Sequence, residues 1–210
     1  MPLILKTPSV PAALQSASPR QPGPDALTRG SDDDRWAAAR AAADRPDQVQ
    51  ALAEALLREP NARVREAMFT SLTRIGTAQS AEALVPLLRS DDSALRTGAL
   101  DALRAMKSVI RPYVAQLIRD PESDVRLLAC ELARALPGDE GTGLLCALLE
   151  LEREPNVCAS AIEVLAEVGG PDALPALQRC EQRFRDTPFL VFAISVAADR
   201  IRSQSPVQRG

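Results

Sequence analysis

Apolar residues recur at helical spacing along most of the chain, and the pattern itself repeats. Segment 61–72 (NARVREAMFTSL) aligns with 92–103 (DSALRTGALDAL) and with 122–132 (ESDVRLLACEL). One arginine holds the same place in four copies, at intervals of 30, 31 and 30 residues: Arg35, Arg65, Arg96 and Arg126. A period of this length is typical of repeat proteins built from small helical units.

Each copy predicts two amphipathic helices, because apolar residues at i, i+3 and i+4 give each segment one apolar stripe. A turn rich in Asp, Asn and Pro precedes the first helix, and its side chains are expected to cap that helix. The expected caps are Asp32, Asn61, Asp92 and Asn156. Pro86 and Pro175 fall inside second helices, so those helices are expected to start late or to bend.

A single helix pair cannot bury its stripe alone, whereas stacked neighbours create a continuous core. The pattern therefore predicts an all-α fold, a right-handed α-solenoid of about five helix pairs closed by one C-terminal capping helix at about 188–202. The expected pairs are 32–58, 61–89, 92–119, 122–153 and 156–185. The repeat domain is expected to span 31–202, with a disordered Pro-rich tail at 1–30 and a disordered C-terminus at 203–210. In the tail, Leu3, Ile4 and Leu5 could form a small docking anchor, or the tail could be a plain solubilising extension.

The pattern Asp-x-x-Val-Arg-x-x-Ala-x-x-x-Leu, with a period near 31, resembles the short HEAT-like repeats of phycobilin lyase subunits. The resemblance covers about residues 31–202 and implies a ladder in which the repeated arginine and a turn aspartate bridge adjacent repeats. The arginines would be Arg65, Arg96 and Arg126, and the partners Asp91, Asp92, Asp120 or Asp124. Cys158 replaces the arginine in the fifth unit, so the ladder is expected to break there.

In proteins of this kind the second helices line a concave surface. The fourth of them is expected to carry an acidic segment: Glu150, Glu152 and Glu154. A basic segment belongs to the fifth: Arg179, Arg183 and Arg185. We interpret these as a polarised groove that binds a charged segment of another protein. The alternative is that they are ordinary solvated faces, some of them paired across repeats at little net energy.

The last predicted helix is apolar nearly all the way round, although a capping helix should turn a polar face to water. Three of the four phenylalanines lie at this end: Phe184, Phe189 and Phe192. Three outcomes are open for this helix: a homodimer contact, a face for another protein, or cover from the tail or the preceding loop.

The composition excludes several kinds of chemistry. The 210 residues include no histidine, which removes His-based acid–base catalysis, Ser-His-Asp and Cys-His nucleophiles and nearly all imidazole metal sites. The four cysteines form no CxxC pair and are expected to be small buried hydrophobic residues in a reducing cytoplasm: Cys130, Cys146, Cys158 and Cys180. We therefore predict no catalytic, cofactor-binding or metal-binding residue.

The net charge and the length of the apolar runs indicate which kinds of partner are disfavoured. The net charge is −3 and aromatic residues make up 3% of the chain, which disfavours a nucleic-acid-binding role such as that of a HEAT-like DNA glycosylase. No apolar run approaches the ~20 residues that a membrane-spanning helix needs, and the first residues do not form a signal peptide. A cytoplasmic location without membrane contact is expected.

These observations favour a non-enzymatic scaffold or adaptor that binds a partner protein on its concave face or at its apolar C-terminal end. An accessory subunit of an enzyme complex, such as a bilin lyase, is the alternative that the resemblance allows. A HEAT-like nucleic-acid-binding protein is the third and weakest hypothesis.

Overall fold

The computed structural model describes residues 24–204, and within them the regular structure is helical throughout. Eleven α-helices form in this part of the chain: α1 (Asp32–Ala41), α2 (Val49–Leu56), α3 (Ala62–Ile75), α4 (Ala78–Leu84), α5 (Ser93–Ala105), α6 (Arg111–Leu117), α7 (Ser123–Ala133), α8 (Gly138–Leu151), α9 (Pro155–Val168), α10 (Leu174–Arg183) and α11 (Pro188–Gln204). Short 3₁₀-helices precede α2 and α10 and extend α4 as Val85–Arg89.

The helices stack in two rows. The first-helix row consists of α1, α3, α5, α7, α9 and α11, and each of these helices packs on the next one in the row. The second-helix row consists of α2, α4, α6, α8 and α10, and each of these packs against the first helix of the following unit. This arrangement confirms the predicted α-solenoid of five helix pairs followed by one last helix.

The helix starts follow from local capping chemistry. Asn61 and Asp92 cap α3 and α5 as predicted, because each side chain accepts hydrogen bonds from backbone N–H groups of the first turn. Two predicted caps are wrong. Ser31, not Asp32, caps α1 through a capping box with Asp34, and α9 begins at Pro155, before Asn156.

Prolines and one glycine set helix ends. Pro86 ends the α-helical part of α4, and the chain continues there as a 3₁₀-helix, as expected for a residue without a backbone donor. Pro175 stands in the first turn of α10, so that helix starts late. Gly76 ends α3 with φ +58°, a left-handed conformation that favours glycine.

The core is a continuous layer of Leu, Ala, Val and Ile side chains between the two rows. Two carboxylates are also buried, those of Glu59 and Glu152, in the turns after α2 and α8. On the outside of the first-helix row, the ring of Phe69 lies against Gly98 of α5, where a Cβ would collide with it. Small residues thus allow α3 and α5 to approach each other closely.

Both ends of the repeat domain differ from the predicted boundaries. Residues Pro24–Leu27 form a 3₁₀-helix, and Leu27 is buried against the first pair, so ordered structure begins before residue 31. At the other end α11 continues to Gln204, two residues past the predicted end. The predicted anchor at residues 3–5 lies outside the described residues.

Helix α11 holds the place of a first helix in a sixth unit. It packs mainly against α9 and α10, as α3, α5, α7 and α9 each pack against the unit before them. Within the described part of the chain no second helix follows it. One side of α11 therefore closes the core, and the opposite side is left at the end of the stack.

Candidate functional site

The charges of α8 and α10 bond to one another across the second-helix row. Arg179 Nε lies 2.9 and 3.0 Å from the two carboxylate oxygens of Glu150. The hydrogen bond from Arg179 lowers the pKa of Glu150 below its ordinary value. Arg183 donates to the backbone carbonyls of Leu149 and Glu150, which are among the last acceptors of α8. The opposite charges predicted to attract a partner are thus largely used inside the protein.

Glu152 is buried, whereas the sequence pattern placed it on an exposed groove. The residue is 6% exposed and lies in the turn after α8. Its carboxylate accepts two hydrogen bonds from Arg126 and two more from the backbone N–H groups of Arg153 and Glu154. Burial alone would raise the pKa of Glu152, but these four bonds together lower it.

Glu154 and Arg185 complete the predicted groove, and both are exposed. Glu154 precedes α9. Arg185 lies in the turn between α10 and α11, and its Nε is 3.5 Å from Oδ2 of Asp186. The six predicted residues therefore serve four different purposes: a pair across helices, bonds from Arg183 to the end of α8, a buried turn bond and solvated charges. They do not form one polarised surface.

The arginine ladder exists with partly different partners. Arg65 Nη1 lies 2.8 Å from the carboxylate of Asp92 and joins the second unit to the third. Arg96 instead donates to the carbonyl of Ser90 at 2.6 Å, in the turn just before α5. Asp124 is exposed and is not the partner of Arg126, which bonds instead to the carboxylate of Glu152 in the turn after α8.

Sequence reasoning missed the matching bond in the first unit. Arg35 donates from Nε and Nη2 to the two carboxylate oxygens of Glu59, at 2.8 and 3.0 Å. The hydrogen bonds from Arg35 lower the pKa of Glu59, which is buried like Glu152. A glutamate 24 or 26 residues after the repeated arginine was the available signal.

The fifth unit has no ladder arginine, and Cys158 stands in its place. Cys158 is fully buried, and its Sγ lies 3.9 Å from the carbonyl oxygen of Glu152. All four cysteines are free thiols. Burial raises the pKa of Cys130 to about 12, which makes this thiol a weak nucleophile at neutral pH.

The outer side of α11 carries the largest exposed aromatic groups of the described chain. Phe189 is 50% exposed, Phe192 72% and Val196 49%, and they follow one another at helical spacing along one side. We call these three residues the end face. The opposite side of α11 is buried in the core through Leu190 and Ile194.

Phe184 does not belong to the end face, so grouping it with the other two phenylalanines is wrong. It ends α10 rather than lying on α11, and it packs half-buried against the core. The guanidinium of Arg183 covers its ring at 5.2 Å from the centroid.

Two other kinds of feature are absent from residues 24–204. No helix in this range is both long enough and apolar enough to cross a bilayer. In the same range, no cluster of three or more Cys, Asp or Glu side chains could hold a metal ion.

The stacked helix pairs and their ladder define an α-solenoid of short repeats. Residues 25–104 and 110–187 match the family model for HEAT repeats. Since the match spans most of the chain, the protein belongs to the HEAT-repeat family. A comparison with curated protein sequences finds no match.

Solved structures with the same kind of fold resemble the chain at low sequence identity. Human deoxyhypusine hydroxylase is 16% identical with a TM-score of 0.46, covering 86% of this chain and 83% of its own. A HEAT-like repeat protein from Thermococcus onnurineus is 15% identical with a TM-score of 0.46, covering 86% of this chain and 85% of its own. The CpcE–CpcF complex of phycocyanin lyase from Nostoc is 16% identical with a TM-score of 0.35, covering 92% of this chain and 100% of its own. Likenesses this distant bear on the fold alone.

Proposed function

We propose that this protein is a non-enzymatic scaffold that binds another protein through the end face on α11. The observation that carries the proposal is the exposure of Phe189 and Phe192, at 50% and 72%, on the last helix of the stack. A terminal helix in a solenoid normally presents polar residues to water. Aromatic residues are enriched in protein interfaces, where they bury much apolar area.

The rest of the architecture supports a binding role at this end. Stacking has already buried the apolar side of α11 through Leu190 and Ile194, so the core does not require the phenylalanines on the other side. Their exposure costs free energy in water unless another surface covers them, since apolar area contributes about 25 cal/mol per Å² on burial.

The second-helix row supports the proposal less. Glu150 and Arg179 bond to each other, and Arg183 bonds to the end of α8. A partner would have to displace these bonds before it could use the charges. Ion pairs between exposed groups gain little energy. Exchanging these internal bonds for similar bonds to a partner would therefore add little to the free energy of binding.

The experiment is affinity capture from source-cell extract with the full chain, comparing wild type with Phe192→Glu. Leu151→Glu is the matched control, because Leu151 is 83% exposed but lies on α8, away from α11. The proposal predicts that proteins captured by wild type and by Leu151→Glu are lost with Phe192→Glu. Equal capture by all three, with equal melting temperatures, would refute the end face as the binding surface.

A further inference from the structure

We infer that the end face binds a second copy of this chain, with the two α11 helices antiparallel about a two-fold axis close to Phe192. This inference rests on the proposed function, because it names the partner of the same surface. The result is a dimer in which two solenoids are joined end to end through their last helices.

The outer stripe of α11 is complementary to itself. Within α11 it holds four residues spaced three, four and three apart, namely Phe189, Phe192, Val196 and Asp199, and Arg185 lies before the helix, in the turn that enters it. This spacing is the a/d spacing of helices that pack side by side. Reversal of direction about Phe192 places Phe189 opposite Val196 of the second copy, so a large side chain meets a smaller one. Phe192 meets its own counterpart near the axis.

The two ends of the stripe carry opposite charges. Arg185 lies in the turn that enters α11, and Asp199 lies near the other end of the helix. An antiparallel arrangement brings Arg185 of one copy to Asp199 of the other, twice per dimer, whereas a parallel arrangement would place like charges together.

Both charges are available for such contacts. The side chains of Arg185 and Asp199 are 81% and 74% exposed. Their bonds within one chain, to Asp186 and Arg202 respectively, are between exposed groups and are therefore weak. Little energy opposes their rearrangement at an interface.

A second copy of the chain always brings an apolar stripe of matching length to the end face.

A second copy also continues the packing that the chain already uses. Every first helix from α3 to α9 has a first helix on each side, and α11 has one only at α9 within the described residues. The proposed pair extends the row as α9, α11, α11 and α9 of two copies, with the direction of the helices reversed at the two-fold axis.

The small size of the stripe sets the expected affinity. Stable interfaces bury about 800 Å² on each partner, and three apolar residues with two flanking charges on one helix supply less. We expect a reversible dimer with a dissociation constant in the micromolar range.

The test is sedimentation velocity of the full chain over a concentration series, with four single variants and one double variant. Phe192→Glu should be monomeric at every concentration, and Leu151→Glu should dimerise like wild type. Arg185→Asp and Asp199→Arg should each weaken the dimer about tenfold, because each places like charges together. The double variant should recover wild-type affinity within about threefold, which a merely structural role of either residue would not produce.

The outcomes separate this inference from the proposed function. A monomeric wild type whose capture of other proteins is lost with Phe192→Glu would overturn the second copy as occupant and leave the end face as a binding surface. A monomeric wild type whose capture is unaffected would overturn both. Dimerisation that survives Phe192→Glu would place the interface elsewhere and overturn the inference.

Discussion

The guanidinium of Arg126 donates two hydrogen bonds to the carboxylate of Glu152, from Nε at 2.6 Å and from Nη2 at 3.0 Å. Arg126 belongs to the first helix of the fourth unit, and Glu152 to the turn that leads into the fifth. The same guanidinium also donates to the carbonyls of Asp120 and Pro121 in the preceding turn. One side chain thus joins the turns on both sides of its unit and fixes their spacing.

Removal of Glu152 should be strongly destabilising. Glu152→Ala leaves Arg126, whose side chain is 15% exposed, without its carboxylate, and the loss of one partner from a buried pair costs about 3 kcal/mol. Glu154→Ala, two residues away and exposed, should change the free energy of unfolding by less than about 0.5 kcal/mol. Urea unfolding of both variants checks the difference, and equal effects would contradict the role assigned to Glu152.

Acid should destabilise the fold through Glu59 and Glu152. Both carboxylates have pKa values below the ordinary one, so the unfolded chain binds more protons than the folded chain as they titrate. Their contribution to the free energy of unfolding is complete above the ordinary pKa of about 4.3. It is lost as the pH falls through the lower pKa of the folded state. In urea unfolding measured from pH 6 to pH 3, a Glu59→Gln/Glu152→Gln variant should show a shallower dependence on pH than wild type. An identical dependence would show that neither carboxylate is linked to folding.

Gly98 should tolerate no side chain. Gly98→Ala directs a methyl group into the ring of Phe69, and such overpacking costs about 1–3 kcal/mol. Gly143→Ala is the matched control, because that glycine is also in a helix interior but has no other atom within 4 Å of the added Cβ. It should be neutral or stabilise by up to about 1 kcal/mol through helix propensity. Thermal melting distinguishes the two, and a neutral Gly98→Ala would mean that α3 and α5 do not approach so closely.

Truncation of a side chain to alanine should cost much more stability on the buried side of α11 than on its outer side. Leu190 is fully buried, so Leu190→Ala should cost about 2–4 kcal/mol. Phe192 is mostly exposed, so Phe192→Ala should cost less than about 0.5 kcal/mol in the isolated monomer. Denaturant unfolding at low protein concentration measures both. A large cost at Phe192 would assign it to the core instead of the end face.

The fold could be predicted because its signals are local and repeated. The apolar spacing, the caps at Asn61 and Asp92 and the break at Pro86 each depend on residues within one helix or turn. Five copies of the same pattern then determine the stacking, since no single pair buries its own stripe.

The site could be predicted only in part, because side-chain partners depend on distances between units. Glu150 and Arg179 stand 29 residues apart, and only the packing of α8 on α10 brings them together. In the sequence, Glu152 is one of three acidic residues at similar positions. Only the path of the turn after α8 buries it. The exposure of Phe192, by contrast, follows from a helix that is apolar on two sides with neighbours on one.

The most direct measurement is photo-crosslinking in living cells of the full chain with benzoylphenylalanine incorporated at position 192, and at position 151 as the control. The account predicts a protein adduct at position 192 and none at position 151, because both positions are exposed but only the first lies on the end face. An adduct of twice the chain mass would identify a second copy, and another mass a different protein. The absence of any adduct at position 192, at equal expression, would contradict the account.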